Sequence, residues 1–254
     1  MTKALRDTWL MFQRSFMLSI RNPVWVIIGL IQPVMYLAFF APLLDRIVAA
    51  PGFPTGGALN VFVPGLLLQL GLFGASFVGF GLVAEVRAGV VERMRVSPLT
   101  RSAMLLGRAL RDVAMLVAQA AILVVLALPF GLRIGVGGAL LTLVLLALIG
   151  FVMAPMSYAA ALWLKNEDAL APFLNMVVVP LFLLSGILLP MSLAPDWLQW
   201  IAFFNPLSHT VSALRSIFLG DYGSGELIFG TLLTALMAVA SLWVAGRAFG
   251  RSQS

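Results

Sequence analysis

Apolar residues in this chain run in long unbroken blocks. Six blocks are long enough to cross a hydrocarbon layer that needs about 20 helical residues. They fall at roughly 23–44, 62–84, 113–131, 138–163, 169–189 and 226–246. Charge or Pro/Gly clusters interrupt them, as at PGFPTGG (51–57) and GLRIGVGG (131–138). The strands of a membrane barrel would alternate lipid-facing and polar residues, which these blocks do not. Continuous runs must satisfy their backbone groups within each segment, so they predict helices. The pattern therefore predicts an all-α polytopic membrane protein with six transmembrane helices in one domain, 23–246.

Three segments depart from the apolar pattern. In residues 1–22, Leu5, Trp9, Phe12, Phe16 and Ile20 recur at helical spacing, while Arg6, Asp7, Gln13, Arg14 and Arg21 take other faces. This predicts an amphipathic helix lying at the membrane interface. Between the second and third runs lies EVRAGVVERMRVSPLTRSAMLLGRALRD, with six arginines and two glutamates from Glu85 to Arg111. A charged, partly helical loop of that size suits engagement of a soluble partner. The third segment, 190–225, is apolar but broken by Pro190, Pro195 and Pro206. Its Trp197, Trp200 and Tyr222 suit headgroup depth. It predicts short outer re-entrant helices within 190–218 that dip and return. A crossing there would put the C-terminal arginines on the outside.

Composition sharpens the class. Of 254 residues, 61% are hydrophobic and 10% charged, and mean hydropathy is +1.05. A soluble domain of this length could not hide so much apolar surface. The net charge of +6 does not imply nucleic acid, because the basic residues lie in the connections between runs. Lys3, Arg6, Arg14 and Arg21 precede the first run. The 85–111 segment holds Arg87, Arg93, Arg95, Arg101, Arg108 and Arg111, followed by Lys165 and, in the tail 247–254, Arg247 and Arg251. The opposite side keeps only Arg46, Arg133 and Arg215. This asymmetry predicts cytoplasmic termini and a cytoplasmic 85–111 loop. A cleaved leader is not expected, since the first run is too long and Pro51 would follow the Val48-Ala49-Ala50 triplet. With no cysteine, thiol chemistry is excluded.

Catalytic motifs are missing. There is no GxxxxGK[ST], and Lys3 and Lys165 are the only lysines. No HExxH or Ser/His/Asp arrangement occurs, and His209 is the only histidine. The runs carry almost no ionisable residue, which argues against a proton-driven transporter. Weakly polar Gln32, Gln69, Ser76, Gln119, Thr142, Asn175 and Ser185 suit interhelical bonding or a sparse polar lining. Gly71, Ala75 and Gly79 form a small-residue face for close packing.

AGVVERMRVSPLTRSAMLLGRALRD, followed by FLLSGILLPMSLAPDWLQWIAFFNPLSHTVSALRSIFLGD, resembles the ABC-2 type transporter permeases. It is most similar to the daunorubicin/doxorubicin-resistance (DrrB-like) exporter subunits, and the likeness covers nearly the whole chain. The resemblance implies a non-catalytic permease that pairs with a second permease chain, identical or homologous. Two copies of a separate ATPase would bind ATP and Mg2+, with no cofactor on this chain.

The resemblance further implies a coupling helix at about Val90 to Val96, closed by Ser97, Pro98 and Leu99. The coupling residues it implies are Glu85, Arg87, Val91, Glu92, Arg93, Met94, Arg95, Pro98, Leu99 and Arg101. Glu92 and Arg95 can pair on an exposed face, and Pro98 ends the turn. The candidate cargo path comprises Gln32, Met35, Gln69, Phe73, Phe77, Asn175, Met176 and Phe182. The candidate outer gate comprises Pro190, Trp197, Trp200 and Pro206. A sparsely polar path suits hydrophobic or amphipathic cargo such as drugs, antibiotics or lipids; the alternative cargo is an envelope polysaccharide or glycolipid. Competing classes are an ATPase-independent secondary transporter or channel, and an intramembrane enzyme or assembly factor.

Overall fold

The computed structural model describes residues 3–21, 24–47, 57–89, 100–188 and 191–251. Ten α-helices make up almost all of it. They are α1 (Lys3–Ile20), α2 (Val24–Ile47), α3 (Ala58–Ser76), α4 (Gly79–Arg87) and α5 (Arg101–Ala127), then α6 (Val136–Leu164), α7 (Glu167–Leu183), α8 (Asp196–Phe203), α9 (Pro206–Phe218) and α10 (Gly225–Arg251). Among the described residues four segments are long and apolar enough to cross a membrane: Ala58–Arg87, Ser102–Phe130, Val136–Leu164 and Gly225–Gly250. Val26–Phe40 is a shorter apolar helix.

The organising element is α6, which is apolar all round and therefore belongs inside the bundle. It packs against α3, α4, α5 and α10. Small residues set these approaches. A Cβ on Gly71 would lie 3.0 Å from Ile149 Cγ2, and one on Gly150 would lie 2.9 Å from Val113 Cγ2. Ala75 is buried beside them, so the small-residue face of α3 is spent on α6. From α10, Ser241 Oγ donates to Val152 O at 2.6 Å.

The second apolar run is interrupted at Phe77–Val78. A break at that depth frees backbone groups that lipid cannot satisfy. Ser157 of α6 fills the gap. Its hydroxyl accepts from Gly79 N at 2.9 Å and donates to Ser76 O. Glycine is required at 79, since a Cβ there would lie 2.6 Å from Ser157 O. The break thus has a named cause, a side chain inserted into the ladder.

The helices do not end where the apolar runs end. The helix that carries the run 113–131 starts at Arg101, and a 3-10 turn at Leu128–Phe130 follows it. Both flanks of the 85–111 loop are therefore helical. The helix that carries the run 169–189 stops at Leu183, because the chain turns at 184–186, with Gly186 at φ 75°. The last helix runs on to Arg251 and absorbs the start of the tail.

A few helix starts are capped by polar side chains. The Asn166 side chain accepts from Asp168 N at the start of α7. Asn205 does the same for Leu207 N at the start of α9, where Pro206 occupies the first turn. Along the α9–α10 contact, Thr210 and Thr234 share a buried hydrogen bond of 2.9 Å. A Cβ on Gly230 would lie 2.3 Å from His209 O. We expect Gly230→Ala to destabilise the fold by about 1–3 kcal/mol through overpacking. Gly246 faces open space, so Gly246→Ala is expected to be neutral or mildly stabilising. Thermal melting of the two variants in detergent checks this; equal midpoints would contradict the α9–α10 packing.

Candidate functional site

Glu85 and Arg87 end α4, and α5 begins at Arg101. Val91, Glu92, Arg93, Met94, Arg95, Pro98 and Leu99 lie outside the described residues, as does the Arg101 side chain. What is described is how the two flanks are held. Arg108 Nη2 lies 2.5 Å from Glu85 Oε2, the arginine side chain 7% exposed and the glutamate 43%. Arg87 reaches Glu167 Oε1 at 3.3 Å and Asn166 Oδ1 at 3.4 Å, tying the end of α4 to the start of α7. That second pair is exposed and contributes little by itself.

One turn further along α5, Arg111 Nη2 sits 2.7 Å from Asp112 Oδ1, and Tyr158 of α6 donates to Asp112 Oδ2. Arg111 Nη1 also donates to Ser19 Oγ of α1 at 3.4 Å. The α1 helix lies against α5 through Gly107, where a Cβ would meet Met11 Cβ at 2.5 Å. Asp7 and Met11 face inward, while Leu5, Trp9 and Ile20 of the apolar stripe stay exposed. A single polar framework thus links α1, α4, α5, α6 and α7 around the two roots of the loop.

Asp112 and Tyr158 carry much of this framework, and neither stood out in the sequence. A signal existed: no proline occurs between Pro98 and Pro129, so nothing forbids a helix starting before the apolar run.

The opposite end of the bundle is held differently. The α7 carbonyls left free at its C-terminus are taken by side chains. Asn205 Nδ2 donates to Leu181 O at 2.7 Å and Ser185 Oγ to Phe182 O at 2.6 Å. Arg215 of α9 donates to Gly186 O at 2.7 Å and to Val61 O at 3.2 Å. Burial lowers the Arg215 pKa to about 10, so the guanidinium stays charged at neutral pH. A Cβ on Gly65 would lie 2.2 Å from Ile187 O, which seats the turn after α7 directly on α3. Of the candidate gate residues, Trp197 and Trp200 are 65% and 68% exposed on α8. Pro206 opens α9, and Pro190 lies outside the described residues.

The candidate path residues divide into three groups. Phe73, Phe77 and Phe182 come together: Phe73 stacks on Phe77 with centroids 6.4 Å apart and meets Phe182 edge-on at 5.4 Å. Gln32, Met35, Asn175 and Met176 are exposed on α2 and α7. Gln69 is instead buried in the bundle, its Oε1 without a partner. Among the other weakly polar residues, Gln119 Nε2 donates to Val26 O at 3.1 Å, an interhelical bond.

The helices and their polar framework define a multi-pass membrane protein. The chain matches the family described as ABC-2 type transporter over residues 6–219, and it belongs to that family. It is 28% identical over 215 residues to the daunorubicin resistance ABC transporter permease protein DrrB1 of Streptomyces coeruleorubidus, covering 83% of this chain and 74% of that one. It is 24% identical over 219 residues to the putative transport permease ycf38 of Cyanophora paradoxa, covering 84% and 74%. The probable doxorubicin resistance ABC transporter permease protein DrrC of Mycobacterium tuberculosis (strain ATCC 25618 / H37Rv) is 22% identical over 228 residues, covering 89% and 78%. The chain is accordingly a non-catalytic permease subunit, and ATP hydrolysis belongs to a separate subunit.

Removing the Tyr158 hydroxyl would leave the buried Asp112 carboxylate short of a donor. We expect Tyr158→Phe to destabilise the protein by about 1–3 kcal/mol. A double-mutant cycle with Asp112→Asn should give a coupling of about 0.5–3 kcal/mol. Melting curves of the four proteins provide the measurement, and additive effects would rule out the link.

Proposed function

We propose that this chain is the membrane half of an ATP-driven exporter in a bacterial plasma membrane, with both termini cytoplasmic. It crosses six times, through α2, α3 with α4, α5, α6, α7 and α10. The α1 helix lies in the cytoplasmic interface, and α8 and α9 dip in from outside. The seventeen residues of α7 span about 25 Å at 1.5 Å per residue, close to the hydrocarbon thickness. A second permease chain, identical or homologous, completes the path. Two ATPase subunits supply the ATP, the Mg2+ and the motion.

The observation that carries this reading is the treatment of the loop roots. Glu85–Arg108 ties the roots to each other, while Arg87–Glu167 and Arg111–Asp112–Tyr158 tie them to the bundle. A displacement applied to residues 90–99 therefore reaches four helices through short polar contacts. Closure of the ATPase pair would move both loops and shift the permease dimer between inward-open and outward-open arrangements. The arrangement favours whichever state binds the moved loop better.

Cargo follows from the surface offered. The Phe73, Phe77 and Phe182 cluster, with Gln32, Met35, Asn175 and Met176 exposed nearby in the sequence pattern, is apolar with a few amides. That supports hydrophobic or amphipathic cargo, as the drug-resistance names of two relatives do. The ycf38 relative is named only as a transport permease, so the family does not fix the cargo.

The decisive experiment is a pull-down of the tagged chain from native membranes, with and without the Glu92→Ala/Arg95→Ala pair. We expect a P-loop ATPase in the wild-type eluate and at least a several-fold loss in the double variant. Absence of any ATPase in several mild detergents would overturn the proposal.

A further inference from the structure

A cavity of about 310 Å³ opens between the outer ends of α8, α9 and α10, lined by Phe203, His209, Ser212, Gly225, Glu226 and Phe229. Its volume lies at the lower end of the range for small-molecule sites, about 300–1,000 Å³. The ring of His209 stands edge-on between two phenyl rings, 5.4 Å from Phe203 and 5.0 Å from Phe229. Its Nε2–H donates to Phe203 O at 2.9 Å, since a carbonyl can only accept. In the neutral ring the remaining nitrogen is then an acceptor.

The other lining groups have the same character. Phenyl faces attract cations, the Ser212 hydroxyl has lone pairs, and Glu226 brings a carboxylate. Glu226 sits in the first turn of α10, behind the Ser224 cap. The helix end carries only about half a positive charge, less than the full negative charge of the carboxylate it adjoins. The sum is electron-rich and apolar, which excludes anions and favours a diffuse cation.

The walls are held in place by the tight α9–α10 contact. Close approach of Gly230 to His209 O and the Thr210–Thr234 bond fix His209 beside Phe229.

We propose that this cavity binds the alkylammonium head of an amphiphile at the outer membrane face. The head could belong to cargo leaving the transporter or to a membrane lipid; the chemistry is the same. The proposal deepens the amphipathic-cargo reading above and rests on it only where the occupant is cargo.

The test is equilibrium binding of radiolabelled dodecyltrimethylammonium to the full chain in phosphatidylglycerol nanodiscs, with empty discs subtracted. We expect Glu226→Gln and Phe229→Leu each to weaken binding about tenfold, equivalent to about 1.4 kcal/mol. Both side chains are exposed, so neither change opens a core cavity, and unchanged melting midpoints would show that the fold is intact. Asp221→Asn, a nearby exposed carboxylate outside the cavity, should bind like wild type. Uncharged dodecyldimethylamine oxide should compete poorly.

Adding phosphatidylethanolamine to the discs separates the two sources: lost probe affinity assigns the site to a lipid head, and retained affinity assigns it to cargo. Wild-type affinity in Glu226→Gln, or an equal loss in Asp221→Asn, would overturn the proposal. Because no ATPase takes part, failure here leaves the pull-down result standing, and the converse holds.

Discussion

Lipid offers no partner to a free backbone N–H or C=O, and that constraint governs where this chain can depart from a regular helix. Two such departures among the described residues are met by polar side chains. At Phe77–Val78 the Ser157 hydroxyl serves both sides of the gap. After Leu183 the free carbonyls go to Asn205, Ser185 and Arg215. Bends are therefore possible only where the partner helix supplies a donor. The central helix α6 and the short helix α9 are thus indispensable to the shapes of α3–α4 and α7, beyond the apolar area they cover.

The end of the bundle at the loop roots answers a different demand. A guanidinium as buried as that of Arg108 is tolerated only when paired, and Glu85 lies on the helix across the loop from it. The pairing that makes the charge tolerable also fixes the distance between the two loop roots. Arg111 is treated likewise by Asp112, whose other oxygen is taken by Tyr158. Electrostatic necessity and mechanical connection here come from the same contacts.

The apolar runs made the helix positions legible, because a period-free stretch of that length has one workable conformation in lipid. What the sequence hid were facts of pairing. Arg108 and Arg111 look like loop residues until Glu85 and Tyr158 are seen beside them, which hid how far the helix of α5 extends ahead of its apolar run. The break at Phe77–Val78 was hidden for the same reason, since a glycine-rich run reads as close packing and only the position of Ser157 makes it a bend. Gln69 suited interhelical bonding or a polar lining in the sequence, and its burial in the bundle was not legible, because helical phase relative to neighbours is not written in composition. Arg215 was read merely as an outer-side charge, whereas its bonds to Val61 O and Gly186 O hold the outer turn to α3.

The two ends differ in the chemistry that closes them, and the difference bears on which one is easier to open. Outer contacts run from side chains to backbone carbonyls, groups that water satisfies nearly as well once it arrives. A protein–protein hydrogen bond exchanged for water loses only about 0.5–1.5 kcal/mol. Separating a buried ion pair leaves a charge that water must reach before it is stable, a loss of about 3–5 kcal/mol when one partner is removed outright. Arg215 is the exception on the outer side, being charged as well as buried. Its two acceptors lie on α3 and on the turn after α7, so the turn cannot leave α3 without stripping that cation of a partner. The end of the bundle at the turn after α7 is then held chiefly by one residue, and the end at the loop roots by a framework spread over five helices.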